Sequence, residues 1–106
     1  MSKKISNLLP QTEILAQLAE EASELAQAAL KLRRALDCTN PTPKSIEECE
    51  EKLAEEVGDV MVCLYAIDMD DTDEMFDFLS ACWYYVNEKP SRWLRRLEER
   101  DRKKDE

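Results

Sequence analysis

The chain has 106 residues and carries 24 Asp plus Glu against 15 Lys plus Arg, a formal net charge of −9. That length leaves room for one domain, residues 1–106, and the single glycine, the few prolines and the abundance of Ala, Leu, Glu, Lys and Arg favour helix throughout. An acidic surface of this kind excludes a basic groove for a nucleic-acid polymer, yet it admits a small phosphate substrate if a divalent cation neutralises the local field.

Residues 1–11 form a lead expected to be flexible, and Thr12 is placed to cap the helix that follows Pro10. Leu18, Ala22, Leu25, Ala29, Leu32 and Leu36 then recur in steps of four and three, the apolar stripe of an amphipathic helix. Asp37 to Lys44, with Asn40-Pro41 and Pro43, reads as a loop. Ser45 followed three residues later by Glu48 makes a capping box. The second helix carries Leu53, Val57, Val60, Leu64 and Ile67.

The acid-rich stretch Asp68 to Asp73 is expected to break that helix, with Thr72 or Asp73 available as the next cap. A third helix is predicted from about Glu74 to Glu88, through Met75, Phe78, Leu79, Cys82 and Val86. Pro90 is expected to stop it, because the residue before a proline is pushed out of helical geometry. Ser91 can then cap a fourth helix holding Trp93, Leu94 and Leu97, and the charged tail 98–106 is expected to fray. No segment alternates with a period of two. The fold class is therefore all-α, a bundle of about four helices completed by oligomerisation.

Four cysteines occur, Cys38, Cys49, Cys63 and Cys82, with no CxxC and no histidine anywhere, which argues against zinc. Cys63 and Cys82 lie in apolar runs and are expected to be buried free thiols. No long apolar span and no signal peptide are visible, so the chain reads as a soluble, cytoplasmic protein with no membrane partner.

The most informative feature is a duplication. Leu18-Ala-Glu-Glu-Ala-Ser-Glu24-Leu25 matches Leu53-Ala-Glu-Glu-Val-Gly-Asp59-Val60, and the apolar and acidic positions keep one phase in both copies. Advancing about 100° per residue from Leu18 places Glu21 near 300°, Glu24 near 240° and Glu20 near 200°. The same count from Leu53 places Glu56, Asp59 and Glu55 at those same angles. Glu21 and Glu56 thus border the predicted stripe, with Glu24 and Asp59 one turn along the same flank.

A short connection around Pro41 favours antiparallel neighbours, which a pseudo-twofold axis would relate. The four acids would then converge, and carboxylates that close raise one another's pKa unless a cation lies between them. Oxygen-only ligands favour Mg²⁺ or Mn²⁺. Gly58, the only glycine, stands beside these acids in a helix, where it costs roughly 1 kcal/mol relative to alanine. Close packing or approach of a ligand would account for it. The plainer reading is a solvated acidic face, and an old hairpin duplication without metal binding produces the same pattern.

At these residues the sequence resembles the MazG-like, all-α nucleoside triphosphate pyrophosphatase superfamily, whose signature is EExxE on one helix and ExxD on the next. Here the matching residues are Glu20-Glu21-Ala-Ser-Glu24 and Glu56-Val-Gly-Asp59. The run Val60-Met-Val-Cys-Leu-Tyr looks like the family's second helix, and Lys89-Pro-Ser-Arg92-Trp93-Leu-Arg-Arg96-Leu97 is similar to the basic, tryptophan-containing ends of small members. The resemblance covers Thr12 to Leu97. It implies hydrolysis of a nucleoside triphosphate, often a deoxy one, to the monophosphate and pyrophosphate. It also implies Mg²⁺ held by Glu21, Glu24, Glu56 and Asp59 with Glu20 in support, and a water proton taken by Glu20 or Glu24. A homodimer or homotetramer with sites near subunit contacts follows from the same resemblance. One departure is the separation between Glu24 and Glu56, longer than the usual family spacing, which bears on the nucleotide pocket more than on the acids.

Among the remaining polar residues, Lys31, Asn87, Lys89 and Arg92 are the substrate-binding candidates. Lys31 follows Glu24 by two turns on the acidic flank, and Lys89 and Arg92 flank Pro90 where a triphosphate tail would be met. Solvation and helix-dipole complementation are the plainer roles for the three cations. Trp83, Tyr84 and Tyr85 read as core or interface rather than as a base-stacking platform. The competing class is a non-catalytic helical oligomerisation or interaction module with a solvated acidic face. A di-iron bundle expects Glu-x-x-His pairs, and histidine is absent.

Overall fold

The computed structural model describes residues 5–38, 44–68 and 78–105. Four helices account for nearly all of them: α1 Ile5–Leu8, α2 Gln11–Asp37, α3 Ile46–Asp68 and α4 Phe78–Lys104. No strand occurs among the described residues, and the chain is all-α. It divides into two compact units, Met1–Asp73 and Glu74–Glu106.

In the first unit α2 and α3 pack along their lengths, and α1 touches α3. The connection from Cys38 to Ser45 is too short to return along a helix of roughly 40 Å, so α2 and α3 run antiparallel. The helix boundaries follow from local chemistry. At the start of α2 the backbone of Pro10 takes the cap position with extended geometry and no side-chain bond, so Thr12 lies inside the first turn and does not cap. At its end Cys38 adopts a left-handed backbone, φ 57°, and its N–H bonds to the Arg34 carbonyl at 3.0 Å. Ser45 opens α3 as the sequence predicts. The Glu48 N–H donates to Ser45 Oγ at 3.1 Å, and that hydroxyl lies 3.3 Å from Glu48 Oε1.

The packed faces differ from the predicted stripes by a rotation of roughly 50°. Ile14, Leu18, Glu21, Leu25, Ala28 and Leu32 line α2, with Ile14 and Ala28 buried and the others half-buried. Ala22, Ala29 and Leu36 point to solvent instead. On α3 the seam is Cys49, Leu53, Glu56, Val60, Cys63 and Ile67, again buried or half-buried, and Val57 is exposed. The two seams match position for position under the duplication, each with steps of four and three and each with a glutamate third. Small residues recur along both, Ala28 on one and Cys49 and Cys63 on the other. They leave room between the half-buried leucines Leu18, Leu25, Leu32 and Leu53 of the same seams.

The second unit contains α4. The sequence predicts a break at Pro90, but the helix continues through it to Lys104. Proline forfeits one backbone bond and crowds the carbonyl of Val86. The strong helix formers on both sides, Glu88 and Lys89 before and Arg92, Leu94, Arg95 and Arg96 after, sustain the helix across that gap. The charged tail likewise stays helical, with Arg102, Lys103 and Lys104 placed to complement the dipole. No residue of α4 is buried, and Trp83, Tyr84 and Tyr85 are all exposed, so they are not core. The predicted loop at Pro41 and Pro43, the caps Thr72 and Asp73, and Glu74 and Met75 lie outside the described residues.

Candidate metal centre

The rotation of the seams moves Glu21 and Glu56 from the border of the core into it. Glu56 is 3% exposed, the only buried charged residue among those described. Its Oε1 meets the Lys52 ammonium at 2.9 Å, one helical turn back, while its Oε2 is buried and has no hydrogen-bond partner. Across the interface Glu21 repeats the arrangement. Its Oε1 accepts from Gln17 Nε2 at 2.9 Å, and its Oε2 is buried without a partner. Each unpartnered carboxylate oxygen of this kind costs about 1–3 kcal/mol or more.

Glu21, Glu24 and Glu56 each offer one ligand atom within 4.8 Å of the others, and Glu55, Glu56 and Asp59 form a second such group. Glu56 belongs to both. The two groups thus reach from α2 across to α3 and then along α3 by one turn. Of the sequence candidates, Glu21, Glu24, Glu56 and Asp59 all fall in these groups. Glu20 does not, and it is exposed on α2. Lys31 is exposed further along α2. Asn87, Lys89 and Arg92 lie on α4 in the other compact unit, where the Lys89 ammonium stands 5.7 Å from the Tyr85 ring centroid.

The electrostatics follow the geometry. The Glu24 carboxyl is held above the ordinary carboxylate value, first by the charge of Glu21, then by partial desolvation and by Glu56, with a hydrogen bond to Glu21 adding to the effect. Lys52 is raised by its hydrogen bond to Glu56 and by the charges of Glu55 and Glu56. Cys63 is raised by burial and then by Glu21 and Asp59, so its thiol stays neutral beside the acids. Glu24 thus takes up a proton more readily than an isolated glutamate, as expected where carboxylates crowd without a cation.

Two participants lie outside the site residues that the sequence predicts, Lys52 and Cys63. The Lys52–Glu56 spacing of four was a visible signal, since such pairs share a helix face. Cys63 is the buried thiol that the sequence predicts, and the rotated seam sets it beside Glu21 and Asp59. Cys82 is half-buried rather than buried, and all four cysteines are free. A Cβ built on Gly58 meets nothing within 4 Å, so close packing within the described chain does not account for that glycine.

The donor set suits a hard divalent ion. It offers only carboxylate oxygens, two of them buried and unpartnered, on two facing helices. Fold and site define a class, an all-α protein with a carboxylate group between two duplicated helices. Comparison of the chain with protein-family models, with curated proteins and with solved structures found no match. No helix among the described residues is long and apolar enough to cross a membrane.

Proposed function

We propose that the chain is a Mg²⁺-dependent nucleoside triphosphate pyrophosphohydrolase, with Mn²⁺ as an alternative ion. The observation that carries the reading is the pair of buried, unpartnered oxygens, Glu21 Oε2 and Glu56 Oε2, on facing helices and grouped with Glu24. A folded protein rarely leaves two carboxylate oxygens desolvated and unpaired unless function requires it. The resemblance of the two acidic motifs to the pyrophosphatase superfamily supplies the reaction class.

In this reading Glu21, Glu24, Glu56 and Asp59 hold the ion. When bound, Mg²⁺ supplies neutralisation of the phosphate charge and lowers the pKa of a coordinated water. The chain's own residues do the rest. Leu18 and Leu25 on α2, and Leu53 and Val60 on α3, stand half-buried one turn before and one turn after Glu21 and Glu56 in the seam. Glu20, exposed one residue before Glu21, is free to accept the proton of the attacking water, and Glu24 is the alternative base. Water attacks the α-phosphorus, the bond to the bridging oxygen breaks, and monophosphate and pyrophosphate leave. Lys31, Asn87, Lys89 and Arg92 are the candidates for contact with the nucleotide. The active species is a homodimer or homotetramer.

One observation favours a second reading. The Lys52 ammonium already compensates Glu56 without any metal, as in a structural ion pair. Under that reading the chain is a non-catalytic interaction module. The deciding experiment incubates the protein with ribo- and deoxyribonucleoside triphosphates, in Mg²⁺ or chelator, and reads pyrophosphate and phosphate separately. Metal-dependent pyrophosphate release that vanishes in Glu56→Ala establishes the hydrolase. No cleavage, with no rise in melting temperature on adding Mg²⁺, leaves the interaction module.

A further inference from the structure

α3 has a second apolar face. About a third of a turn or more from the seam that packs on α2, Val57, Met61 and Tyr65 form a ridge at four-residue spacing, 39%, 44% and 43% exposed. The N-terminal half of the same face carries Glu47 and Glu50, both exposed, and no basic residue. Gly58 borders this ridge, and a Cβ built on it meets nothing within 4 Å. A helical glycine costs roughly 1 kcal/mol against alanine. Approach of another helix across the ridge would use the space that a side chain there would fill.

α4 carries the complementary pattern. Along one face Cys82, Val86, Trp93 and Leu97 recur, with Val86 54% and Trp93 68% exposed. Lys89, Arg96 and Arg100 accompany them, concentrated towards the C-terminal end, while Glu98, Glu99 and Asp101 fall on other sides of the helix. Among the described residues, Arg100 pairs with its exposed neighbour Asp101 at 3.6 Å. Read in opposite directions, the two helices match twice over. The apolar N-terminal half of α4 faces the apolar C-terminal half of α3, and the basic half of α4 faces the acidic half of α3.

We propose that α4 of one chain lies antiparallel across the Val57–Met61–Tyr65 face of α3 in a second copy, so that two such contacts join a pair of chains. In this pairing Trp93 covers the ridge near Ala54 and Val57, and Arg96 and Arg100 meet Glu47 and Glu50. The contact is isologous, since each chain gives one α3 face and one α4 face. A parallel arrangement places the basic half of α4 against Met61 and Tyr65 and leaves Glu47 and Glu50 without countercharge. The pairing does not depend on nucleotide hydrolysis, and none of its residues belongs to the carboxylate groups.

Charge reversal tests it. One variant carries Glu47→Lys with Glu50→Lys, the other Arg96→Glu with Arg100→Glu, all at exposed positions. Light scattering and sedimentation read the mass against the 12.3 kDa chain. The full chain is expected as a dimer or a multiple of it, and each variant alone dissociates at least about tenfold more readily, because like charges then face each other. An equimolar mixture of the two variants regains the paired state, since in a mixed dimer one contact has both signs reversed and the other has neither. A monomeric full chain, variants that associate as tightly as the parent, or a mixture no better than its components each overturns the proposal. The last outcome is what docking of α4 within one chain produces. Nucleotide cleavage, measured on the same samples, reports separately on the carboxylate site.

Discussion

The Lys52 ammonium lies 2.9 Å from Oε1 of Glu56, and the two ends of that pair are unlike. The lysine side chain is 51% exposed, the glutamate side chain 4%. An exposed pair contributes little, but here the carboxylate is desolvated and its other oxygen has no partner. Lys52 is thus the cation that makes a buried Glu56 tolerable in the metal-free protein.

Lys52→Met is therefore expected to lower stability in chelator, because it strands the buried carboxylate of Glu56 without its countercharge. Saturating Mg²⁺ should recover most of that loss, because the ion replaces the ammonium as countercharge. Chemical unfolding in both conditions checks this. An equal loss with and without Mg²⁺ would mean that no ion reaches Glu56. The pH sign is also fixed. Lys52 is raised above 10.5, so its contribution is complete below that value and disappears as pH climbs through the folded pKa.

Glu56→Gln separates site from scaffold. The amide keeps the shape, removes one of the mutually repelling charges near Glu21 and Glu24, and leaves Lys52 free to solvate. Metal-free stability should rise by about 1 kcal/mol. The stabilisation by Mg²⁺ should vanish, a difference of about 2.7 kcal/mol for the parent at a hundredfold excess over Kd. Pyrophosphate release should be lost as well. Melting curves with and without Mg²⁺ decide it, and a variant that still gains from the ion removes Glu56 from the ligand set.

Glu24 gives the acid side. In the metal-free protein its carboxyl is raised above 4.5, chiefly by Glu21. The folded state then retains a proton that the unfolded chain has released. This group's contribution to stability is therefore unaffected below about 4.5, falls as pH rises through the raised pKa, and stays level above it. Glu24→Gln should abolish that fall, so the parent-minus-variant difference in urea midpoint declines with pH in chelator. A difference that is flat or rising from pH 4 to 8 contradicts the crowding of Glu21 and Glu24.

Much of this was legible in the sequence, for identifiable reasons. The duplicated Leu-Ala-Glu-Glu motif brought Glu21 and Glu56 together because its phase is a property of helix geometry alone. Ser45 and Glu48 gave the start of α3 because a capping box is a local device. The predicted face of α2 lies half a residue step from the packed one, because Leu36, Ala29 and Ala22 weight the stripe away from the buried Ile14 and Ala28. Which of two adjacent stripes is buried depends on the opposite helix, where Cys49, Glu56 and Cys63 hold the matching buried positions. Thr12 failed as a cap because Pro10 already sets the backbone for entry into the helix. Lys89 and Arg92 are beyond such reading, as their distance from the acids depends on more than local pattern.

The continuity of α4 through Pro90 is the last point open to a direct test. If the helix ended at Lys89, Pro90 would occupy a first-turn position, where its missing N–H is harmless, and replacing it would gain nothing. Within a continuous helix the same proline forfeits the bond to the Val86 carbonyl and crowds that turn, a penalty of about 3 kcal/mol against alanine. Part of the gain from Pro90→Ala returns to the more flexible unfolded chain, on the order of 0.4–1 kcal/mol. The variant should therefore gain about 2 kcal/mol of local helix stability. Amide exchange is the sensitive readout. Protection should increase from Asn87 to Leu94 in the variant, on both sides of the substitution, and far-UV ellipticity should deepen. Unchanged exchange across that stretch would place a helix boundary at Pro90 and shorten the face that α4 offers to a second chain.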